Sequence, residues 1–452
     1  MTHPSRLLRY IVALLFSFAL LARPAMAQQV LRDAETEALL HDMSAPLIEA
    51  AGLNPNNVQI MVINDPSINA FVAGGQAVWI HSGLLSTADN ANEVQGVIAH
   101  ELGHVAGGHA IRSSEGLKPA TGITLLSLVL GAAAVAAGSP DGGLGIFMAG
   151  QQAALGKYLA FSRNQESSAD LAGASYLAKA GISGRGSIQF FKKLQNLEYR
   201  YSVPQDTYAS THPLSGDRIQ VLTEVYEKDP AWNAKTPPDI EARFQRVKAK
   251  LIGYVEDPQQ TLIKYPESDQ TIPAHYARAY AWHKSAYPDK AAAEVAALMQ
   301  AAPHDPYFEE LDGQILLESG HPTEAIAPLR EAVKTTGGQP LIATLLGHAL
   351  IATEDPKYYD EAVQVLRSAV NRDRENPFAW YQLGVIYSQK GDTARAALAT
   401  AEQAQMTGQN AMALRSATTA MAGLTEGSSD YLRAQDIALV ARAAVEQERK
   451  RK

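Results

Sequence analysis

Two histidines placed four residues apart are the residues of this sequence best suited to chemistry. His100 and His104 enclose Glu101 in the order His-Glu-x-x-His. Residues four apart share one face of an α-helix, so both imidazoles can bind one zinc ion, while Glu101 can take a proton from water beside it. The alternative is a chance pair on an ordinary buried helix. Buried imidazoles crowded on one face need partners, however, and one zinc ion per chain supplies them.

The sequence around this motif predicts a helix pressed into a core. Asn90 followed by Glu93 is a variant of the capping box and marks the start of the helix. Apolar residues then recur at helical spacing, at Val94, Val97, Ile98, Leu102 and Val105.

The histidine that would complete a metzincin-type site is missing. Ala110 stands ten residues after the first histidine, where that third ligand would be. His109 comes five residues after His104, which on a continuous helix is well away from the metal face. We therefore interpret His109 as structural, and a different third ligand must be found.

Two acidic residues further along are the best candidates to complete the site. Glu166 and Asp170 lie four apart in a segment that reads as helix up to Gly181. A carboxylate can be the third zinc ligand, and a second one can accept the remaining ring N–H of a ligating histidine. Such pairs are common on solvated faces, so this interpretation depends on the incomplete motif upstream.

Short strands are predicted before the motif. Residues 30–51 read as a helix, and 58–63, 69–73 and 76–81 read as three strands separated by turn residues. An edge strand beside a zinc site could pair with an extended substrate. The strands could instead only cover the helix, and the sequence does not say which of them is the edge.

Residues 119–155 are nearly all small or apolar, with a turn at 139–143. This pattern predicts a helical hairpin. Its length is borderline for a membrane span, and glycine and alanine dilute its hydrophobicity, so we expect it to pack against the catalytic domain. A peripheral membrane contact or a mobile cover over the site remains the alternative.

The N-terminus reads as an export signal. Arg6 and Arg9 precede an uncharged run, and Ala25-Met26-Ala27 is a small-x-small cleavage site, so residues 1–27 are expected to be removed before Gln28. A retained anchor is less well supported because the run is short. Export of a chain with no cysteine suits the bacterial periplasm, although secretion remains open.

The charge balance constrains the partners. The chain has 39 basic and 47 acidic residues, and a leader with three arginines and no acid would leave a net charge of −11. An acidic chain argues against nucleic acid as the main partner. The lack of cysteine excludes disulfides, thiolate metal sites and a cysteine nucleophile.

The C-terminal part repeats. Residues 380–387 fit the W-x2-L-G-x2-Y signature of a tetratricopeptide unit. Gly313, Gly347 and Gly384 keep steps of 34 and 37 residues, which places a three-residue insertion near 354–357. Four to five helix pairs are therefore predicted, and stacks of this kind usually bind another protein on the concave face. Bracing of the catalytic domain is the alternative.

Three motifs taken together resemble metallopeptidase family 48, which includes HtpX-like stress proteases and CAAX prenyl endopeptidases. They are His100-Glu101-Leu102-Gly103-His104, then Arg163-Asn164-Gln165-Glu166-Ser167-Ser168-Ala169-Asp170, and then Ser210-Thr211-His212-Pro213 with Arg218. The leader and the repeats are similar to the periplasmic branch of that family. The resemblance implies zinc held by His100, His104 and Glu166, with Glu101 as general base and acid.

The same resemblance implies roles for three further residues. Asp170 would support a ligating histidine, and Arg218 would pair with a carboxylate. His212 would lie near the metal, where it either stabilises the oxyanion or fills the open coordination position in a latent form.

The expected fold is an α+β zincin-like metallopeptidase domain (28–265) followed by an all-α tetratricopeptide-repeat solenoid (266–452). The resemblance implies an exported, zinc-dependent endopeptidase for envelope protein quality control. Its partners would be unfolded or stalled outer-membrane proteins, together with assembly machinery bound through the repeats. The alternative is a chaperone or assembly factor with a mostly latent protease site.

Overall fold

The computed structural model describes residues 29–136, 139–201, 212 and 216–451. The predicted leader, residues 1–27, lies outside the described residues, as do the neighbours of His212 in its motif. The described chain consists of a sheet with helices, followed by a long series of helix pairs. This agrees with the predicted fold class.

The N-terminal part contains a four-stranded sheet in the order β1-β2-β4-β3. The strands are β1 Val30–Leu31, β2 Gln59–Ile63, β3 Ala70–Ala73 and β4 Ala77–His81. β2 and β4 pair in parallel and the other two pairs are antiparallel. The three predicted strands are confirmed, and β3 lies at one end of the sheet. The prediction of helix from residue 30 was wrong, since helix α1 (Ala34–Ala50) begins only after the Asp33 cap.

Helix α3, Ala91–Ala106, carries the His-Glu-x-x-His motif and follows the short helix α2, Ser82–Thr87. Its predicted start is confirmed, because the Asn90 side chain accepts a hydrogen bond from the Glu93 amide at 3.0 Å. Such a cap is worth about 1 kcal/mol. Its apolar face is buried in the main core together with α1 and the sheet, so the motif lies on a rigid, fully packed element.

Helices α4 (His109–Ala136) and α5 (Pro140–Lys179) form the predicted hairpin. They pack on each other, and the C-terminal part of α5 also packs on α3. The expectation that 119–155 packs against the catalytic domain was wrong. Large apolar side chains along this segment face solvent, among them Leu126, Val129 and Leu144.

The described residues of this part contain four more helices: α6 Arg185–Tyr201, α7 Gly216–Glu227, α8 Pro238–Val255 and α9 Pro258–Lys264. A 3-10 turn at Pro230–Asn233 separates α7 from α8. The predicted domain boundary at 265/266 falls between α9 and the first repeat helix.

The described C-terminal part contains five helix pairs, in agreement with the prediction of four to five. They are α10 Ile272–Lys284 with α11 Pro288–Ala301, α12 Pro306–Glu318 with α13 Pro322–Thr335, α14 Pro340–Ala352 with α15 Tyr359–Arg372, α16 Pro377–Gln389 with α17 Thr393–Met406, and α18 Asn410–Gly423 with α19 Ser429–Arg451. The predicted insertion near 354–357 is a 3-10 turn at Pro356–Tyr358. Pro306, Pro340 and Pro377 each begin a helix, where a missing N–H costs nothing.

Buried charges join the two parts. Glu35 on α1 is 1 % exposed and accepts a hydrogen bond from the Tyr276 hydroxyl at 2.8 Å. Arg246 on α8 pairs with Glu35 and, at 2.6 Å, with Asp305 just before α12. Because a buried charge that loses its partner is strongly destabilising, this network fixes the first repeats against the sheet domain.

Candidate active site

Close contact between α3 and α5 brings the two halves of the motif together. A Cβ atom on Gly103 would lie 2.6 Å from the carbonyl oxygen of Ala169, and one on Gly173 would lie 3.0 Å from the backbone of Ala99. Any side chain at these positions would push the helices apart. The two glycines therefore let the backbones approach until Glu166 and Asp170 on α5 face the histidines of α3.

Three side chains meet at one point, as predicted. The Nε2 atoms of His100 and His104 lie 3.1 Å apart. The Glu166 carboxylate lies 3.4 Å from each of them, through Oε2 to His100 and through Oε1 to His104. All three side chains are buried.

The arrangement fits a tetrahedral zinc ion. Zinc bonds of about 2.0–2.1 Å separate tetrahedral ligand atoms by about 3.3 Å, and the distances among these three groups are 3.1 to 3.4 Å. Beside them, Glu101 is fully buried, and among the described residues neither of its carboxylate oxygens has a hydrogen-bond partner. A buried carboxylate without donors is costly unless water or a cation faces it. The donor set fits a metal centre, and the Glu101 carboxylate lies beside it.

Asp170 and Arg218 support the ligands from behind. Asp170 lies 2.9 Å from Nδ1 of His100 and accepts hydrogen bonds from Arg218 at 2.8 and 2.9 Å. Arg218 also lies 3.2 Å from Glu166. Burial alone would raise the pKa of Asp170, but its bonds to His100 and Arg218 outweigh burial and lower it. The carboxylate therefore stays ionised and holds the His100 ring with Nε2 toward His104 and Glu166.

His212 lies inside the same cluster. Its Nδ1 is 3.1 Å from both oxygens of Glu166 and 3.3 Å from Nε2 of His100, which is the spacing of a fourth tetrahedral ligand. Its Nε2 is 3.2 Å from the carbonyl oxygen of Ala70 on β3 and 3.6 Å from Glu101. Its ligand atom and those of the other three residues all lie within 4.8 Å of one another. In the described conformation His212 therefore lies among the predicted ligands, and its two implied roles stay predictions.

Comparison with protein families agrees with this geometry. Residues 34–226 match the model of peptidase family M48, and residues 379–399 match that of a tetratricopeptide repeat. The N-terminal region is a peptidase M48 domain. M48 peptidases are zinc-dependent metalloendopeptidases, so the domain is of that enzyme class and its buried cluster can hold one zinc ion.

Similar proteins include two β-barrel assembly-enhancing proteases. The one from Yersinia pestis is 24 % identical over 84 % of this chain and 79 % of its own length. The putative one from Vibrio cholerae is 29 % identical over 55 % of this chain, and the match spans half of its length. The metalloprotease LoiP of Escherichia coli is 33 % identical over 39 % of this chain and 64 % of its own length.

A solved structure, YrrB, is described as a tetratricopeptide protein with an unusual peptide-binding site. It is 19 % identical and matches 39 % of this chain and 92 % of its own, at a TM-score of 0.32. A score this low supports no conclusion about function.

His109 contacts a histidine of the cluster in the M48 domain, which the sequence analysis did not predict. Its Nδ1 lies 2.9 Å from Nδ1 of His104, although residues five apart on one helix would diverge. The helix ends instead at Ala106 with Gly107 as its C-cap, Gly108 takes a positive φ of 61°, and α4 begins at His109. The assignment of His109 as remote from the metal face was therefore wrong. The Gly107-Gly108 pair was the signal that could have corrected it.

We expect His109 to be a positioning residue. By accepting the Nδ1–H of His104, it would fix the tautomer that leaves Nε2 free for zinc. His109→Ala should weaken zinc binding about 10- to 100-fold, whereas His109→Gln, whose amide oxygen can accept the same bond, should restore much of it. Competition for zinc with a chelator that changes colour on binding the metal measures the zinc affinity of each variant. Equal zinc affinity in wild type and His109→Ala would show that the contact does not orient the ligand.

Proposed function

We propose that this chain is an exported zinc-dependent endopeptidase for protein quality control in the bacterial envelope. His100, His104 and Glu166 are the proposed zinc ligands and Glu101 the proposed general base and acid. The proposed substrates are outer-membrane β-barrel proteins that have stalled or misassembled, and the proposed compartment is the periplasm. The names of the similar β-barrel assembly-enhancing proteases support a role in β-barrel assembly. The export signal predicted from the sequence supports the periplasm.

The observation that carries the proposal is the tetrahedral spacing of the cluster beside a buried Glu101, whose oxygens accept no hydrogen bond among the described residues. Distances of 3.1 to 3.4 Å among two imidazoles and a carboxylate suit zinc. An accidental pair of histidines would need neither a convergent carboxylate nor a second carboxylate held by arginine behind it. The arrangement therefore supports a catalytic centre over a structural one.

Zinc, when bound, lowers the pKa of water to about 7 and polarises the scissile carbonyl. Glu101 would take the proton of the attacking water and pass it to the leaving amine. It lies beside the proposed ligands, and neither of its oxygens accepts a hydrogen bond among the described residues. Asp170 and Arg218 would keep His100 and Glu166 in place during this exchange. His212 must leave its position near the ligands before water and substrate can enter.

A substrate would reach the site along the end of the sheet. The site cavity of about 240 Å³ is lined by Phe71 and Val72 of β3 together with Glu101, His104 and His212. An extended peptide beside a terminal strand gains main-chain hydrogen bonds without sequence preference. Such binding suits unfolded segments of proteins that are themselves destined to form β-strands.

The second candidate function is an assembly factor whose repeats bind partners while the protease is mostly latent. The position of His212 favours it, because a fourth protein ligand leaves no open position for water. The five helix pairs offer the surface for partners under either function.

The test uses the exported, full chain with an unfolded β-barrel protein and with casein as substrates. We expect about one zinc per chain, cleavage of the unfolded barrel, and loss of cleavage when a chelator removes the metal, with recovery on adding zinc. Refolded barrel protein is the matched control and should resist. Chelation that leaves cleavage unchanged would contradict the zinc mechanism, and equal cleavage of folded and unfolded barrel would contradict the proposed substrate class.

A further inference from the structure

The hairpin of α4 and α5 has an inverted distribution of side chains. Large apolar residues on its outside are 49 to 64 % exposed, namely Leu125, Leu126, Leu128, Val129, Leu130, Val135, Leu144 and Met148. A helix that packs in a water-soluble protein turns such residues inward and polar ones outward. From this inversion and the charge pattern described below, we infer that the hairpin inserts into a lipid bilayer.

The inside of the hairpin is built from small residues. A Cβ atom on Gly131 would lie 2.8 Å from the carbonyl oxygen of Gly143, and one on Gly150 would lie 2.0 Å from Cβ of Ser127. Ser127 and Ala154 are each 5 % exposed. Helices in membranes associate through small residues in this way, because the large apolar side chains are already surrounded by lipid and gain nothing from facing another helix.

The exposed apolar surface is too wide for a protein partner. At 100° per residue, positions 125, 126, 128, 129, 130 and 135 cover an arc of about 220° of α4. A helix docked on a protein buries a stripe of about 100°. Ser127 and Gly131, both buried, occupy the remaining face toward α5. Lipid surrounds a helix pair on all free sides, and this distribution matches that environment.

Charges mark the two ends of the inserted part. Between Lys118 and Lys157 the sequence has one charged residue, Asp141, and it lies at the tip of the hairpin. From Lys118 to Ala136 the helix rises about 27 Å, which is close to the thickness of the hydrocarbon layer. The base of the hairpin carries four basic residues and one acidic residue, Glu115. The basic ones are Arg112, Lys118, Lys157 and Arg163. Basic side chains at that level suit anionic headgroups, and α4 is long and apolar enough to cross a membrane.

Insertion would bring the active site to the bilayer surface. Leu117 on α4 and Tyr158 and Phe161 on α5, all at the base of the hairpin, line the site cavity together with Glu101 and the histidines. Peptide bonds of a chain lying on the membrane would then be within reach of the site. This inference stands apart from the proposed function, because the hairpin can anchor the chain whether or not the site cleaves.

A single introduced cysteine tests the inference, since the chain has none of its own. Leu128→Cys on α4 and Leu439→Cys on α19 are matched positions, 53 and 59 % exposed. Each variant of the exported full chain is labelled with an environment-sensitive fluorophore and mixed with phosphatidylethanolamine–phosphatidylglycerol vesicles. We expect a blue shift, and quenching by brominated acyl chains, at position 128 and neither at 439.

A second pair of variants measures binding. Asparagine at Leu125, Leu126 and Val129 should lower the fraction of chain floating with vesicles at least tenfold, while asparagine at Leu432, Leu439 and Val440 should leave it unchanged. Helix content measured by circular dichroism verifies that both variants fold. A label at 128 that stays in water with vesicles present would overturn the inference. So would a label that is buried without lipid in a dimer, which would assign the surface to a second copy of the chain.

Discussion

Glu101→Gln should lower cleavage of unfolded protein by a factor of about 10² to 10⁴ while zinc binding stays intact. The amide has nearly the same shape as the carboxylate but cannot take a proton, and general-base catalysis contributes about that factor. Glu101 is fully buried, with neither oxygen bonded among the described residues, so the exchange removes no hydrogen bond seen there. Single-turnover cleavage at fixed zinc occupancy measures the effect.

The matched control for this variant is Glu115→Gln, an exposed glutamate at the base of the hairpin that lies outside the cluster. Its activity should equal that of the wild type. If Glu101→Gln keeps cleavage within tenfold of wild type at equal zinc content, Glu101 is not the base. The same variant separates the two candidate functions, because an assembly factor with a latent site would keep its envelope function without Glu101.

Local patterns predicted the parts of this molecule that depend on local physics. Asn90 and Glu93 marked the helix start because a cap is a contact between near neighbours. The repeats were equally visible because each helix pair packs mainly on its neighbours. The convergence of Glu166 with His100 was predicted from the missing third ligand of the motif and from the resemblance, not from a local pattern. It is a contact over more than 60 residues, made possible by the close approach at Gly103 and Gly173.

Two of the errors, those at the hairpin and at His109, share one physical cause: the periodicity of a sequence does not reveal what a helix face contacts. The hairpin 119–155 has the apolar content of a core segment, yet its large residues face outward because small ones fill its interface. His109 seemed remote only because the helix was assumed to continue through Gly108, whose positive φ ends it. Glycine is the reason in both cases. In the hairpin it allows the two helices to approach closely, and before His109 it allows the turn that ends the helix.

His212→Ala should raise the rate of cleavage while the zinc content stays at about one per chain. Nδ1 of His212 lies 3.1 to 3.3 Å from Glu166 and His100, the spacing of a fourth ligand, so in this conformation His212 would close a zinc site to water. His100, His104 and Glu166 remain to hold the metal. If the closed form makes up about nine-tenths of the molecules, its removal should increase turnover about tenfold.

The opposite result has an equally definite meaning. If His212 instead donates to the oxyanion of the reacting peptide, its removal should lower turnover about a hundredfold, as loss of such a donor does elsewhere. His321→Ala, which changes an exposed histidine in the repeat part, is the control for a general effect of losing an imidazole. The sign of the change therefore separates a latency device from a transition-state donor. The closed geometry, with His212 held between Glu166 and the carbonyl oxygen of Ala70 on the strand proposed to receive substrate, favours latency released when a peptide pairs with that strand.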